Sequence, residues 1–289
     1  DAIVVHGSSS KPIYLYVKNG QVEIRDASKL WGRFNADVLE EVEREIGETK
    51  LKILGIGPGG ENLVRYACIM CDLHDANGRG GLGAVMGAKR LKAIVVKGGT
   101  KVNIKNYNKV LEISKEFAKK FKDIPGTKGL NAMGTTGAPA NNSNGGQLPT
   151  RNWSFGSFEG VDNISGVNIH NTILAKKTGC FACPVRCKRM VQAEEPYNID
   201  PEYAGVEYES LAALGSYLGI DDLPTVCKGI ELCNKYTIDT LSLGGTIAFA
   251  MDCFENGLLS LQDTDGLELR FGNKEVLLPL IDKIAKKEG

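Results

Sequence analysis

The chain has 289 residues, 42% hydrophobic and 24% charged, with 35 basic and 35 acidic side chains and zero formal net charge. These are globular values with room for one large or two ordinary domains, and they exclude extended disorder and any general pull toward nucleic acid or an anionic membrane. No apolar run approaches the roughly 20 residues of a membrane span, and the first residues lack the basic-then-apolar pattern of a secretory signal.

In chain order, residues 2–5, 12–17 and 21–25 read as short strands separated by Gly, Ser and Asn turns, with 2–5 a buried strand already under way. Residues 36–45 form a polar, Glu-rich helix and 51–55 (LKILG) a buried strand. A glycine-rich turn then leads into a helix over 61–72, and 91–96 (LKAIVV) is another buried strand. From about residue 105 the periodicity turns helical. It predicts helices over 110–121, near 169–177, and over 208–218, 224–235 and 242–256, with a further helical pattern at 276–285. The Gly-, Asn- and Thr-rich stretch 134–153 reads as a long loop, and such loops are more often functional than idle. The fold class is therefore α+β, with a β-rich domain over 1–103 followed by a mainly α-helical domain over 104–289. The chain begins without Met inside a strand-like run and stops just after a helical pattern, so it reads as a piece of a longer polypeptide.

Gly55-Ile56-Gly57-Pro58-Gly59-Gly60 is a formal GxGxxG between a strand and a helix, with Asp72 and Asp75 downstream. A second glycine cluster at Gly78, Gly80, Gly81 and Gly83 interrupts the unit, and the preceding strands are hairpin-like, so a dinucleotide is disfavoured. Another phosphate-bearing cofactor held by exposed backbone N–H groups, or a plain tight turn, remains open. Cys68 and Cys71 fall within the expected helix 61–72, with both sulfurs on one face. A four-thiol zinc site shared with Cys180 and Cys183 is one reading; two small core residues is the better one.

Cys180, Cys183 and Cys187 lie within GCFACPVRCKR. The C-x2-C-x3-C spacing wraps a chain around one corner of an iron–sulfur cubane, and Pro184 stiffens the turn. Arg186, Lys188 and Arg189 supply positive charge that favours reduction and suits an acidic electron carrier. Zinc held by three thiolates and a histidine, His170 being nearest in sequence, and unligated thiols are the alternatives. Clustered cysteines in a chain without a secretory signal point to a reducing, cytoplasmic location. Glu207 and Glu209 open an apolar helical run; at most one can point inward, and both suit a solvated helix start. Asp239 lies between a helix end and the next helix start, as an N-cap or as an acceptor for the N–H donors of a heterocycle.

Taken together, IGPGGENLVRYACIMCDLHDANGRGGLGAVMGAKRLKAIVVKG (56–98), LPTRN (148–152), GCFACPVRCKR, EYESLAALGSYLGIDDL (207–223) and the 239–245 stretch resemble one family in order and spacing. That family is the tungsten- or molybdenum-pterin aldehyde:ferredoxin oxidoreductases, and the resemblance covers essentially the whole chain. It implies that the β-rich part is a partial base domain under the cofactor, and that two pterins hold one tungsten or molybdenum beside a [4Fe–4S] cluster. Cys180, Cys183 and Cys187 match three cluster ligands, the fourth lying beyond Gly289. Glu209, rather than Glu207, matches the carboxylate near the metal; its partner histidine also lies beyond Gly289, so the isolated fragment is expected to be inactive. Ala76 matches a pterin-contacting backbone position, with Gly78, Arg79 and Gly80 retained beside it and Asp75 standing where some members have Arg.

The family's D-x-x-G-L-D pterin motif reads Asn234-x-x-Thr237-Ile238-Asp239, which keeps Asp239 and replaces one carboxylate by Asn234. A dimer-bridging E-x-x-H reads Lys228-Gly229-Ile230-Glu231, which argues against that metal and leaves a homodimer open. The implied activity is oxidation of a small aldehyde to a carboxylic acid, with electrons passing through the cluster to ferredoxin. Reduction of another carbonyl or an aromatic thioester is the alternative within the family; a zinc or iron–sulfur structural or electron-transfer module is the alternative outside it.

Overall fold

The computed structural model describes residues 2–99 and 102–288. Asp1 and Gly289, which bound the two expected domains, and Thr100 and Lys101 beside their junction lie outside the described residues. Six strands form the first sheet: β1 (Ile13–Lys18), β2 (Gln21–Asp26), β3 (Lys52–Gly55), β4 (Ile69–Cys71), β5 (Asp75–Asn77) and β6 (Leu91–Lys97), in the order β2-β1-β6-β3-β4-β5. Asn19 and Gly20, both at positive φ, make the two-residue turn that sets the β1–β2 register. Only the β1–β6 pair is parallel. Helix α1 (Asn35–Ile46) buries Val38 and Val42 against Tyr14, Tyr16, Ile53 and Val95 on one face. On the other face, α2 (Pro58–Glu61) and α3 (Leu82–Ala88) bring Ile56 and Met86 onto Leu15 and Leu91.

Beneath this sheet Lys92 on β6 is fully buried and Glu61, at the end of α2, is 3% exposed. The two are ion-paired; Lys92 also donates to the Arg33 carbonyl at 2.7 Å, and Glu61 accepts from the Gly32 N–H at 2.7 Å. Burial pushes the Glu61 carboxyl up and the Lys92 ammonium down, each away from its charged form, and the mutual attraction opposes both shifts.

The rest of the chain is mainly helical. Helices α4 (Tyr107–Lys120), α5 (Pro125–Met133), α6 (Ala138–Asn144) and α7 (Gly166–Thr172) precede a three-stranded antiparallel sheet of β7 (Leu174–Thr178), β8 (Lys188–Val191) and β9 (Gly205–Val206). Helices α8 (Tyr208–Leu214), α9 (Leu223–Tyr236), α10 (Thr240–Glu255) and α11 (Leu277–Lys286) then pack around Leu211, Leu214, Val226, Ile230, Ile247 and Ile281. The close α8–α10 approach depends on Gly244, where a Cβ would sit 2.3 Å from the Ala213 carbonyl. Glu231 on α9 is buried between Lys228 and Lys235, at 2.9 and 2.6 Å. Among the described residues no helix is long and apolar enough to cross a membrane.

Several expected elements differ, each for a physical reason. Residues 2–5 pair with no strand, and Ile3 and Val4 are exposed. The helix expected over 61–72 ends at Glu61; Leu63 turns left-handed at φ 58°, and residues 69–71 pair with β3 and β5 as a strand. The 169–177 helix stops at Thr172, and its second half is β7, held by pairing with β8. The 208–218 helix breaks at Gly215 and resumes as a 3-10 turn at Ser216–Leu218. Part of the 134–153 loop is helix α6.

Sheet and helices meet along a backbone seam. Cys68 donates its N–H to the Thr237 carbonyl at 2.8 Å, Asp239 to Tyr66 at 3.1 Å, and Ala67 bridges Ile238. Gly57 donates its N–H to Thr237 Oγ1 at 2.8 Å. Glycine is required here by space: a Cβ on Gly57 would lie 2.5 Å from the Lys235 carbonyl, and one on Gly59 2.7 Å from the Tyr236 carbonyl.

Lys92→Met should lower the unfolding free energy by about 3–5 kcal/mol, because it strands a buried carboxylate. Urea denaturation reads this, and adding Glu61→Gln should recover part; a loss below about 1 kcal/mol would make the pair no better than a surface one. Gly57→Ala should cost about 1–3 kcal/mol by overpacking. Gly126→Ala, at a helical position open to solvent, should be neutral or stabilising by up to about 1 kcal/mol in the same assay.

Candidate functional site

The seam leaves a cavity of about 330 Å³ whose wall includes Ala76 from β5, Asn234 and Asp239 from its helical side, and Lys188, Glu207 and His74. Three positions singled out in the sequence thus converge from segments more than 150 residues apart. Asp239 is 6% exposed. Its Oδ2 caps α10 by accepting from the Ser242 N–H at 2.8 Å, while Oδ1 faces Gly78, where a Cβ would stand 3.2 Å away. Both proposed uses of this carboxylate are therefore compatible: one oxygen caps, the other faces the glycine turn. Asn234 commits its Nδ2 to the Tyr203 carbonyl at 2.7 Å.

Arg79 is largely exposed, with Nε 4.0 Å from Asp239 Oδ2. Its neighbour Gly80 holds φ 107° in open space, a conformation that only glycine adopts without strain. Lys188, one residue after Cys187, pairs with Asp75 and is 15% exposed. The reversed charge at Asp75 thus finds its cation across the cavity.

The GxGxxG stretch has a different role from the anion cradle left open by its sequence. Gly55, Gly57, Gly59 and Gly60 are all buried, and a Cβ on Gly55 would press on the Asn35 side chain. Close backbone packing, not an exposed row of N–H groups, explains these glycines. Cys68 and Cys71 share no helical face either. Cys68 is a core thiol pushed up to about 12 by burial and then by Asp239, whereas Cys71 is half-buried on β4 and accepts from Asn77 at 3.4 Å.

The cysteine loop runs between β7 and β8. Its fold comes from a Cys183 N–H to Cys180 carbonyl bond at 3.0 Å, from left-handed Ala182 and Arg186, and from Gly179 packed against the Arg186 backbone. Cys180 is exposed, Cys183 and Cys187 are half-buried, and Phe181 is fully exposed. Burial pushes the Cys187 thiol up, with Glu207 and the two neighbouring thiols adding to it. Among the described residues no three His, Cys, Asp or Glu side chains converge on a point that could hold a metal ion. The donor set nonetheless fits a soft cluster: three thiols on one loop without a carboxylate between them. Arg189 is 2% exposed. Its guanidinium donates to the carbonyls of Arg186, Lys188, Leu130 and Asn131 at 2.8–3.3 Å, which ties the loop to α5.

Glu207 and Glu209 diverge, as their spacing requires. Glu207 faces the Asp239 cavity and accepts from Thr135 Oγ1 at 2.6 Å. Glu209 is exposed and lines two larger cavities of about 550 Å³, one of which Glu207 also lines. The other also receives Arg79, Tyr217 and Trp153. The last belongs to a feature that sequence reasoning missed: Arg151, Asn152 and Trp153 are consecutive left-handed residues, at φ 42°, 51° and 64°. For L-residues this costs about 1–2 kcal/mol each. Hydrogen bonds from Arg151 N to Ser216 O and from Asn152 N to Tyr217 O hold the turn. The LPTRN motif marked the place, though not its conformation. His74 and Lys188 were also missed as cavity walls; only the fold brings them there.

A family model described as aldehyde ferredoxin oxidoreductase, N-terminal domain, matches residues 1–98, and one described as aldehyde ferredoxin oxidoreductase, domains 2 and 3, matches residues 112–289. Among curated relatives, the tungsten-containing aldehyde ferredoxin oxidoreductase of Pyrococcus abyssi is 42% identical over 296 residues, covering 100% of this chain and 48% of its own length. Its counterpart in Thermococcus kodakarensis is 42% identical, over 100% and 47%. An aliphatic sulfonate oxidoreductase, WOR-like subunit, of Pyrococcus furiosus is 33% identical, over 100% and 48%. The chain thus spans about half the length of the curated relatives it matches. Among solved structures, the active-site complex BamBC of benzoyl coenzyme A reductase with 1,5-dienoyl-CoA superimposes with a TM-score of 0.79 at 25% identity, over 98% of this chain and 44% of that one.

Asp239→Asn separates the cap from the proposed pterin contact. Asn caps helices as well as Asp does, so unfolding free energy should change by less than about 0.5 kcal/mol. Pterin content of the purified full-length protein, measured by fluorescence of the oxidised pterin, should fall; unchanged content would leave Asp239 a cap alone.

Proposed function

The chain belongs to the aldehyde ferredoxin oxidoreductase family, and from that premise we propose that the polypeptide carrying it oxidises aldehydes to carboxylic acids. The balance is RCHO + H2O → RCOOH + 2 H⁺ + 2 e⁻, with the electrons passed singly to ferredoxin. The observation that carries this reading is the convergence of Ala76, Asn234 and Asp239 on one cavity, with Lys188 linking its wall to the cysteine loop. When bound, a tungsten or molybdenum bis-pterin supplies the two-electron chemistry and a [4Fe–4S] cluster the one-electron exit.

The chain's own residues have separate tasks. Asp239, Asn234 and the backbone around Ala76, Gly78 and Gly80 hold the pterin, with Arg79 beside Asp239 as a cation for its anionic groups. Cys180, Cys183 and Cys187 supply three cluster thiolates. Lys188 and Arg189 keep positive charge beside them, which favours accepting an electron. Glu209 Oε takes the proton released as the water oxygen adds to the carbonyl carbon. The division at residues 103 and 104 belongs to the same proposal, with the sheet as the base under the pterin and the helical part carrying the thiols. Reduction of a thioester or another carbonyl is the weaker reading. Identity to the aldehyde enzymes is 42%, against 33% to the sulfonate enzyme and 25% to the benzoyl coenzyme A reductase chain.

Glu209→Gln in the full-length enzyme should leave tungsten, iron and pterin content at wild-type levels while reducing turnover at least about 100-fold, the scale of a lost general base. Glu207→Gln, by contrast, should retain most activity. Wild-type turnover in the Glu209 variant would remove it from the reaction, and zinc in place of tungsten and iron in the wild type would remove the whole reading.

A further inference from the structure

Trp153 combines two costly features. It ends three consecutive left-handed residues, and its indole is 65% exposed. Glycine would relieve the backbone and a polar side chain would suit the exposure. Four contacts keep the arrangement in place. Arg151 and Asn152 donate N–H bonds to Ser216 and Tyr217 at 3.1 and 3.2 Å, and Asn152 Nδ2 donates to Asp252 at 3.2 Å. The indole meets the Tyr217 ring edge-on, with centroids 6.1 Å apart and planes at 73°. Strain held this firmly at a cavity mouth points to a ligand rather than to stability.

The cavity in question is the one of about 550 Å³ that also contains Glu209. Its rim is aromatic, from Trp153, Tyr217 and the exposed Phe249, and its floor is small, from Ala212, Ala213 and Gly245. Rings above a small-residue floor leave a slot for a flat guest, with Glu209, Arg79, Ser242 and Thr246 as the polar members of its wall. We propose that Trp153 is a specificity-determining residue: a planar aromatic aldehyde lies against its indole with the carbonyl directed toward Glu209. This rests on the aldehyde-oxidising reading above and adds the substrate class. The gain is selective, because a ring presents a face or edge to the indole and a two-carbon aldehyde presents neither.

The test compares wild-type full-length enzyme with Trp153→Ala and Trp153→Phe on benzaldehyde and acetaldehyde. The benzaldehyde-to-acetaldehyde ratio of kcat/KM should fall about tenfold or more in the Ala variant and return toward wild type with Phe. A second arm needs no turnover: saturation-transfer NMR with benzamide and acetamide as unreactive carbonyl probes. Benzamide should show transfer in the wild type and the Phe variant and lose it in the Ala variant. An unchanged ratio, an equal fall for both aldehydes, or benzamide transfer that survives Trp153→Ala would overturn the proposal. Equal falls would indicate that another stretch of polypeptide covers the indole. A wild type that oxidises neither aldehyde would defeat the aldehyde reading, and the NMR arm would still decide whether Trp153 holds an aromatic carbonyl.

Discussion

The structure depends on the contact of two backbones. Residues 56–68 and 235–239 approach so closely that side chains are excluded between them, and glycine at positions 57 and 59 is the condition for that approach. Three backbone-donated bonds across this line and one bridge replace what would otherwise be solvated amides. The candidate site lies on or beside it: Asp239 at its end, Ala76 one strand away, and the cysteine loop opposite through Lys188 and Asp75. Asp239 serves both seam and site: its N–H bonds across the seam to Tyr66, and its carboxylate caps α10 and faces the cavity.

That coupling explains the division of electrostatic work. The most enclosed carboxylate of the candidate site, Asp239, is fixed by a helix N-terminus. Those nearer the surface, Glu207 and Glu209, share one cavity, but only Glu207 also reaches the Asp239 cavity and only Glu209 the one beside Trp153. On the cationic side, Lys188 is matched by a carboxylate, whereas Arg189 is surrounded by carbonyls. The loop between β7 and β8 therefore presents net positive charge to whatever its thiols hold, and buried charge of this kind is poorly screened by salt.

Reading the sequence alone recovered what local chemistry controls. The helices at α1, α9 and α10, the Asn19–Gly20 hairpin strands and the three-thiol spacing were all visible, because periodicity, turn residues and ligand spacing are short-range signals. Asp239 was readable as a cap for the same reason. Failures clustered where distant segments decide. Residues 61–72 carry helical periodicity, yet pairing with β3, β5 and Thr237 draws out a strand. The 55–60 glycines looked like an anion cradle because glycine serves close approach to a ligand and close approach to another backbone equally well. Trp153 gave no signal: nothing in the letters R, N and W announces three left-handed residues, and only the Ser216–Tyr217 carbonyls make that turn tenable.

Arg189 has a consequence for which substitutions the chain can accept. Four carbonyls from two separate segments converge on one planar fork, and the two guanidinium nitrogens reach them as a set. Lysine carries the same charge on a single nitrogen with three donors radiating from one point, so it cannot span both segments. The exchange that any substitution table scores as mildest would therefore weaken the tie of α5 to the thiol loop, leaving the Asn131–Val185 bond to hold it. Half-buried Lys177 makes one such bond, to the Ala132 carbonyl, which one ammonium can satisfy, and Lys128 is exposed. Tolerance along this basic stretch is thus set by donor shape rather than by charge, and neighbouring cations of equal sign differ widely in how freely they can vary.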